Sequence, residues 1–306
     1  MQALRGMGEH TDNVAGAPIS WGVCEVPGWG AQLDPERVFA EMAALGLRAT
    51  ELGPIGYLPF EPEAIRERLG RHGLLLVGGF VPLVLHEPEL DTAEAERIAA
   101  VLAEAGGEMF VAAAVADQGW SAPVPLAPED FKRLAHHLAE VERRVAQHGL
   151  TLALHPHVGT QVETAADVER MLAVSESGWC LDTGHLLIGG ADPAEFVRAN
   201  GDRIVHAHLK DVDAGIATQL RAGELTLVQA TQAGLFRPLG QGDARIDQVV
   251  DLLQTAGYER WLVLEQDTAI TGQEPPVGRG PVIDVRTSID YLNSLAPARR
   301  ERVADS

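Results

Sequence analysis

Trp179-Cys180-Leu181-Asp182-Thr183-Gly184-His185, followed at 204–211 by Ile-Val-His-Ala-His-Leu-Lys-Asp, is the stretch from which the fold is read. Side chains alternate across a strand, so Val205, Ala207 and Leu209 share an apolar face while His206, His208 and Lys210 share the opposite one. A polar face therefore stands where a core face belongs. In the first segment the alternation groups Cys180 with Asp182, and Thr183-Gly184 lets the chain turn so that His185 returns towards the strand end. Inward-pointing carboxylates, imidazoles and an ammonium are costly unless partnered, which calls for a bound partner, most simply a metal ion.

On either side of this stretch, short apolar runs alternate with longer amphipathic ones. Strands are expected at 17–24, 48–52, 74–80, 109–115, 150–155, 179–182, 204–209 and 261–265. Helices are expected at 34–45, 61–71, 91–105, 129–148, 164–174, after Asp192-Pro193, and at 246–256 and 285–295. The connection 213–239 is long, and its middle reads as either loop or helix. Eight strands separated by seven helical connections and closed by an eighth helix match a (β/α)8 TIM barrel, with a doubly wound open sheet as the rival. No Gly-rich dinucleotide loop follows any strand, which favours the barrel. The domain is expected to span 17–296, after a flexible leading segment 1–16 and before a tail 297–306.

In a barrel, reactive groups sit at the carboxyl ends of the strands. In the fifth strand Leu150, Leu152 and Leu154 face the helices, whereas Thr151, Ala153, His155 and then His157 share the other parity. The eighth sets Val263, Glu265 and Asp267 against Leu262 and Leu264, and the second ends at Glu51 with Ala49 on the same side. Neighbouring strands thus present His155, Asp182, His208 and Glu265 at one rim. Mixed imidazole and carboxylate donors suit Mn²⁺, Co²⁺, Fe²⁺ or Zn²⁺ better than a purely oxygen-loving ion.

Composition narrows the partners. The 306 residues are 46% hydrophobic and 22% charged, ample for one large core. A formal charge of −20 repels nucleic acid and anionic membrane surfaces, and no basic patch offsets it. The two cysteines, Cys24 and Cys180, are far apart and fall on expected buried strands, which fits a reducing, cytoplasmic setting without a disulfide framework. The longest apolar run, 74–85, is broken by Gly78, Gly79 and Pro82 and is too short to span a bilayer, and 1–16 lacks a signal-peptide core.

The strand-end pattern Asp182-Thr183-Gly184-His185, then His206-Ala207-His208-Leu209-Lys210-Asp211, then a strand closing in Glu265, resembles the xylose-isomerase-like barrels, which include sugar isomerases, epimerases and inosose dehydratases. Within them it is most similar to the inosose dehydratase branch. That likeness rests on Ala17-Pro18-Ile19-Ser20-Trp21-Gly22, Thr50-Glu51-Leu52-Gly53-Pro54 with Gly56-Tyr57-Leu58-Pro59, and His155-Pro156-His157-Val158-Gly159-Thr160. The resemblance covers roughly residues 17 to 295. It implies a divalent ion, Mn²⁺ or Co²⁺ foremost with Zn²⁺, Fe²⁺ or Mg²⁺ admissible, held by Asp182, His208 and Glu265. His185 is then a substrate contact. At the fifth strand the family commonly has a glutamate and this chain has His155, with His157 as the alternative ligand. That departure removes one member of the two-glutamate proton shuttle of isomerases and epimerases, and the His-Pro-His form resembles the dehydratases.

The chemistry implied is removal of a proton α to a ketone, giving an enediolate from which a β hydroxyl leaves as water or which is reprotonated as an isomer or epimer. The base is expected to be Glu265 or one of His155 and His157, and the polariser or acid Lys210 or His185. Trp21, Glu51 and Arg286 are weaker candidates for binding a polyhydroxylated ring. The substrate is expected to be a small polyol; a homo-oligomer is left open.

Each assignment has a plainer competitor. His206 reads equally as a core residue, Asp182 as a turn cap and Glu51 as a rim hydrogen-bonder. Trp29 and Trp120 read as loop packing, and His72, His86, His136, His137 and His148 as solvated. Two other classes remain: metal-dependent phosphodiester hydrolysis, which wants a basic groove, and a sugar-binding barrel that holds no ion.

Overall fold

The computed structural model of the chain describes residues 13–26 and 28–304. In chain order the strands are β1 (Val14–Gly16), β2 (Ala49–Thr50), β3 (Leu75–Leu76), β4 (Gly78–Leu83), β5 (Met109–Ala114), β6 (Thr151–Leu154), β7 (Trp179–Asp182), β8 (Ile204–Leu209), β9 (Asp211–Val212), β10 (Phe236–Arg237) and β11 (Leu262–Leu264). All pairings in the main sheet are parallel, in the order β3-β2-β1-β11-β8-β7-β6-β5-β4. β3 and β4 are consecutive pieces of one bent strand, so the sheet closes on itself as an eight-strand barrel. The bend falls at Gly78, where a Cβ would stand 2.1 Å from the Met109 carbonyl oxygen. Only glycine lets the two strands approach that closely.

The helices α1 (Pro35–Ala44), α2 (Pro62–Arg71), α3 (Ala93–Glu104), α4 (Pro128–Gln147), α5 (Ala165–Val174), α6 (Thr183–Ile188), α7 (Pro193–Asn200), α8 (Ala214–Arg221), α9 (Leu227–Gln232), α10 (Ile246–Thr255) and α11 (Pro281–Ala304) cover the barrel and its mouth. Their starts follow local chemistry. Asp34 and Asp192 cap α1 and α7, each followed by a proline at the first helical position, and Thr164 with Asp167 forms a capping box on α5. The amphipathic α4 buries Phe131, Leu134, Leu138, Val141 and Val145 at helical spacing.

Two cores result. The outer one joins the helices to the outward strand residues, among them Leu152, Leu154, Leu181 and Leu209. The inner one fills the barrel with Ala15, Ala17, Ala49, Val77, Met109, Val111, Ala153, Cys180 and Val263. Two positions beyond Ala49, Ala153, Cys180, His206 and Val263 come Glu51, His155, Asp182, His208 and Glu265, stacked above that apolar floor. His157, Lys210 and Asp267 follow two positions further on.

Several boundaries differ from those expected. The first strand is Val14–Gly16, and 18–21 form a 3₁₀ turn opened by Pro18. Pairing with Leu262–Leu264 sets where that strand runs, and the apolar run 17–24 lies past it. Cys24 consequently sits in a buried loop and not on a strand. The barrel thus begins before residue 17; residues 1–12 of the expected leading segment lie outside the described residues. The last helix continues to Ala304, through most of the expected tail, whose residues 305–306 are also outside them. The ambiguous 213–239 connection holds α8, α9 and β10, which pairs antiparallel with β9 just before it, and the segment packs over the mouth in a cluster with Ile188, Val212, Ala230, Leu235 and Phe236. His137 is buried, its Nδ1 3.0 Å from the Leu85 carbonyl oxygen, and is not solvated. No helix among the described residues is long and apolar enough to cross a membrane.

Candidate metal centre and active site

At the carboxyl ends of β6, β7, β8 and β11, one ligand atom each from His155, Asp182, His208 and Glu265 falls within 4.8 Å of all the others. His155 Nε2 is 3.1 Å from His208 Nδ1 and 3.3 Å from Asp182 Oδ2. His208 Nδ1 is 3.2 Å from Glu265 Oε2 and 3.6 Å from Asp182 Oδ2. Donors at about 2.1 Å from an ion lie about 3.0–3.4 Å apart in octahedral or tetrahedral arrangements, so these spacings fit a single cation. Asp182 Oδ1 accepts the His185 backbone N–H at 2.7 Å, capping α6, while its buried Oδ2 has no hydrogen-bond partner. Such an orphaned carboxylate oxygen, aimed at two imidazoles and a second carboxylate, is what an ion site provides. The capping role thus occupies Oδ1 and leaves Oδ2 available to an ion.

Charge points the same way. Lys210 Nζ lies 2.8 Å from Asp267 Oδ1, 3.0 Å from Glu265 Oε2 and 3.5 Å from Asp182 Oδ2. Three carboxyls thus surround one buried ammonium. Burial opposes charge on Asp182, but Lys210 and the surrounding imidazoles hold it well below the usual carboxylate range. Glu265 is lowered to about 2, burial being outweighed by His208 and Lys210. Burial pushes Asp267 up to about 6, with Glu265 adding to the rise against Lys210. Lys210 stays charged: the carboxylates of Asp182, Asp267 and Glu265 outweigh its burial.

Three of the donors, His155, His208 and Glu265, line a cavity together with Ile19, Val26, Trp29, Glu51, Pro54, Phe80, Trp120, His157, Lys210, Leu227 and Asp267, among others. Trp120 stacks on Phe80 with ring centroids 6.1 Å apart and planes 12° apart. Its φ of 58° is a left-handed conformation unusual for tryptophan, held so that the ring faces the cavity. Trp29 is fixed by its Nε1 donating to the Thr268 carbonyl at 2.8 Å. Both tryptophans, expected as loop packing, form cavity wall.

His157 Nδ1 donates to the Val158 carbonyl at 2.6 Å, which leaves Nε2 with its lone pair. Burial, reinforced by His155 and Lys210, lowers its pKa to about 3 and keeps the ring neutral. His185 packs on it with centroids 3.9 Å apart and meets two donors, Lys210 Nζ at 3.0 Å and the Val158 N–H at 3.3 Å. A neutral imidazole accepts only one of these, and the shorter, charge-assisted contact with Lys210 is favoured.

The structure brings His155, His157, Asp182, His185, His208, Lys210, Glu265 and Glu51 together. It does not bring Trp21 or Arg286. Trp21 is wholly buried, its Nε1 donating to Glu41 Oε2 at 2.8 Å, because it belongs to the 3₁₀ turn where strand alternation no longer applies. Arg286 is exposed on α11. Glu51 bonds two histidines, and His206 is one of them: its Nε2 is 2.7 Å from Glu51 Oε1. Sequence reading left out Asp267, Phe80 and Leu227. The parity of Asp267 with Glu265 was a signal for the first; nothing local marked the other two.

Residues 39–294 match the xylose isomerase-like TIM barrel family, and the chain belongs to it. Among individual proteins, it is 32% identical over 301 residues to the rhizopine catabolism protein MocC of Rhizobium meliloti, covering 94% of this chain and 90% of that one. It is 29% identical to the inosose dehydratase of Geobacillus kaustophilus, over 91% of this chain and 93% of the relative. The L-ribulose 3-epimerase structure superposes with a TM-score of 0.68 at 16% identity, covering 95% and 96% of the two chains. The IolI protein with bound zinc superposes at 0.66 and 15%, covering 93% and 98%. At those identities the two structures speak to fold alone.

Proposed function

We propose that the chain is a divalent-metal-dependent lyase that eliminates water from an unphosphorylated keto-polyol, as an inosose dehydratase does. The observation that carries this reading is the convergence of His155, Asp182, His208 and Glu265 on one point at the floor of a cavity. The inosose dehydratase relatives, matched over most of their length, supply the substrate class, and the zinc named with the IolI structure supports an ion in this fold.

His155 Nε2, Asp182 Oδ2, His208 Nδ1 and Glu265 Oε2 would hold the ion. Bound there, a divalent ion would polarise a ketone and its neighbouring hydroxyl and so acidify the intervening C–H. The chain's own groups do the rest. His157 is the histidine of the His155/His157 pair left free of the donor set, and its Nε2 lone pair takes the α proton. The Lys210 ammonium gives a proton to the departing β hydroxyl, which leaves as water as the carbon–carbon double bond forms, and Asp267, whose pKa is pushed up to about 6 by burial, relays a proton back to Lys210. Phe80 and Trp120 offer an apolar face to the ring C–H groups.

The cavity wall carries Glu25, Glu51, Glu265 and Asp267 against one cation, Lys210, already shared among carboxylates. A phosphate would meet repulsion there, so a sugar phosphate is disfavoured. His155 in place of a glutamate likewise disfavours the two-glutamate shuttle of an epimerase. Two buried free cysteines suit a reducing compartment, and we place the enzyme in the cytoplasm.

The test is incubation with a keto-inositol and Mn²⁺ or Co²⁺ in deuterated water. Growth of the ultraviolet band of a conjugated dione is the expected result. Deuterium uptake without loss of water would replace the lyase with an isomerase or epimerase, and a protein that binds no divalent ion would end the reading altogether.

A further inference from the structure

Glu51 follows β2 and reaches β8 across the barrel, over the small side chains of Ala15, Ala17 and Ala49. One oxygen, Oε1, lies 2.7 Å from His206 Nε2 and 2.9 Å from His208 Nε2. These spacings are too short for three donors around an ion, which would stand about 3.0 Å or more apart, and are ordinary for two N–H groups donating to one carboxylate oxygen. His206 and His208 are two positions apart on one strand, so both rings face the same carboxylate. His208 then has its Nε2 proton committed to Glu51, and the ring's other nitrogen, Nδ1, faces Glu265, Asp182 and His155.

We propose that Glu51, held in place by His206, is a positioning residue for the ion: it fixes the Nε2-protonated form of His208 and turns the Nδ1 lone pair into the four-donor site. The inference rests on the metal reading above and adds to it a residue that touches neither ion nor reacting atoms. It departs from the substrate-binding role expected of Glu51 from sequence. A carboxylate behind an imidazole also makes that imidazole a stronger donor, so its loss weakens the ion site before any substrate arrives.

The experiment uses the full chain and Co²⁺ alone, titrated by absorbance or by competition with a chelating dye. Wild type binds, and Glu51→Gln, the same size but uncharged, binds roughly 10–100-fold more weakly. Glu51→Asp keeps the charge but falls short of the rings; it weakens binding too, and it serves if Glu51→Gln does not fold. Zinc-loaded wild type labelled with ¹⁵N-histidine shows His208 protonated on Nε2 and ligated through Nδ1. Folded Glu51 variants binding Co²⁺ within threefold of wild type, or His208 ligated through Nε2, would overturn the proposal while leaving the metal site intact. Wild type that binds no Co²⁺ would overturn both this inference and the reading beneath it.

Discussion

The stem of Lys210 passes where a side chain on Gly184 would stand: a Cβ there would lie 2.6 Å from Lys210 Cγ and 2.8 Å from Cδ. Gly184 is in the first turn of α6, two positions after Asp182, so a single absent methyl lets the ammonium reach Glu265 and Asp267. Gly184→Ala must push a fully buried lysine aside. We expect about 1–3 kcal/mol of destabilisation and at least a tenfold loss of kcat, read by thermal melting and turnover. Unchanged turnover in the folded variant would mean that Lys210 is not the acid.

On the proposed metal reading, proton and ion would compete at His208. Burial disfavours its charged form, but Cys180 and the carboxylates of Glu265, Glu51 and Asp182 outweigh burial and raise its pKa well above 6.5. In the ion-free protein this group's stabilisation is complete below 6.5 and is lost as pH rises through the raised value. An ion must displace the same proton. Binding at pH 7 should release about one proton, and affinity should fall about tenfold per unit as pH drops below 7. Calorimetry in two buffers of different ionisation enthalpy measures the release; none would contradict the assignment of His208 as ligand.

His157 and the donor set should separate on mutation. His157→Gln removes the proposed base without touching the four donors, so kcat is expected to fall roughly 10²–10⁴-fold while Co²⁺ affinity stays within about threefold. A parallel loss of Co²⁺ binding would make His157 the fifth-strand ligand in place of His155.

Asp211 carries structure and not chemistry. Its carboxylate accepts the backbone N–H groups of Gly240 at 2.8 Å, of Gly242 and Ala244 at 3.0 Å and of Val212 at 3.1 Å, tying the loop before α10 to the end of β8. Asp211→Ala leaves these donors unpaired and should cost roughly 3–5 kcal/mol in urea unfolding, with Asp211→Asn costing less. A loss under about 1 kcal/mol would show that water replaces the carboxylate.

Trp120 should act on binding. Trp120→Ala removes one face of the cavity wall and leaves the left-handed φ as it is, so KM is expected to rise about tenfold with little loss of stability. A fall in kcat alone would place the ring elsewhere in the reaction.

What the sequence determined by itself is which side of each strand a residue occupies. Alternation is a local property of extended backbone, so Ala49 and Glu51, Ala153 and His155, Cys180 and Asp182, and Val263 and Glu265 were bound to share an inner face wherever their strands ended up. Strand count and helix caps followed from the same short-range chemistry. Closure of the sheet decided the rest: that Glu51 meets His208 from 157 positions away, that Lys210 threads past Gly184, that Phe80 and Trp120 wall the mouth. It also turned Trp21 into the core, left Arg286 outside, and started the first strand at Val14, because position around and along a barrel comes from the register of distant partners, which no local pattern encodes.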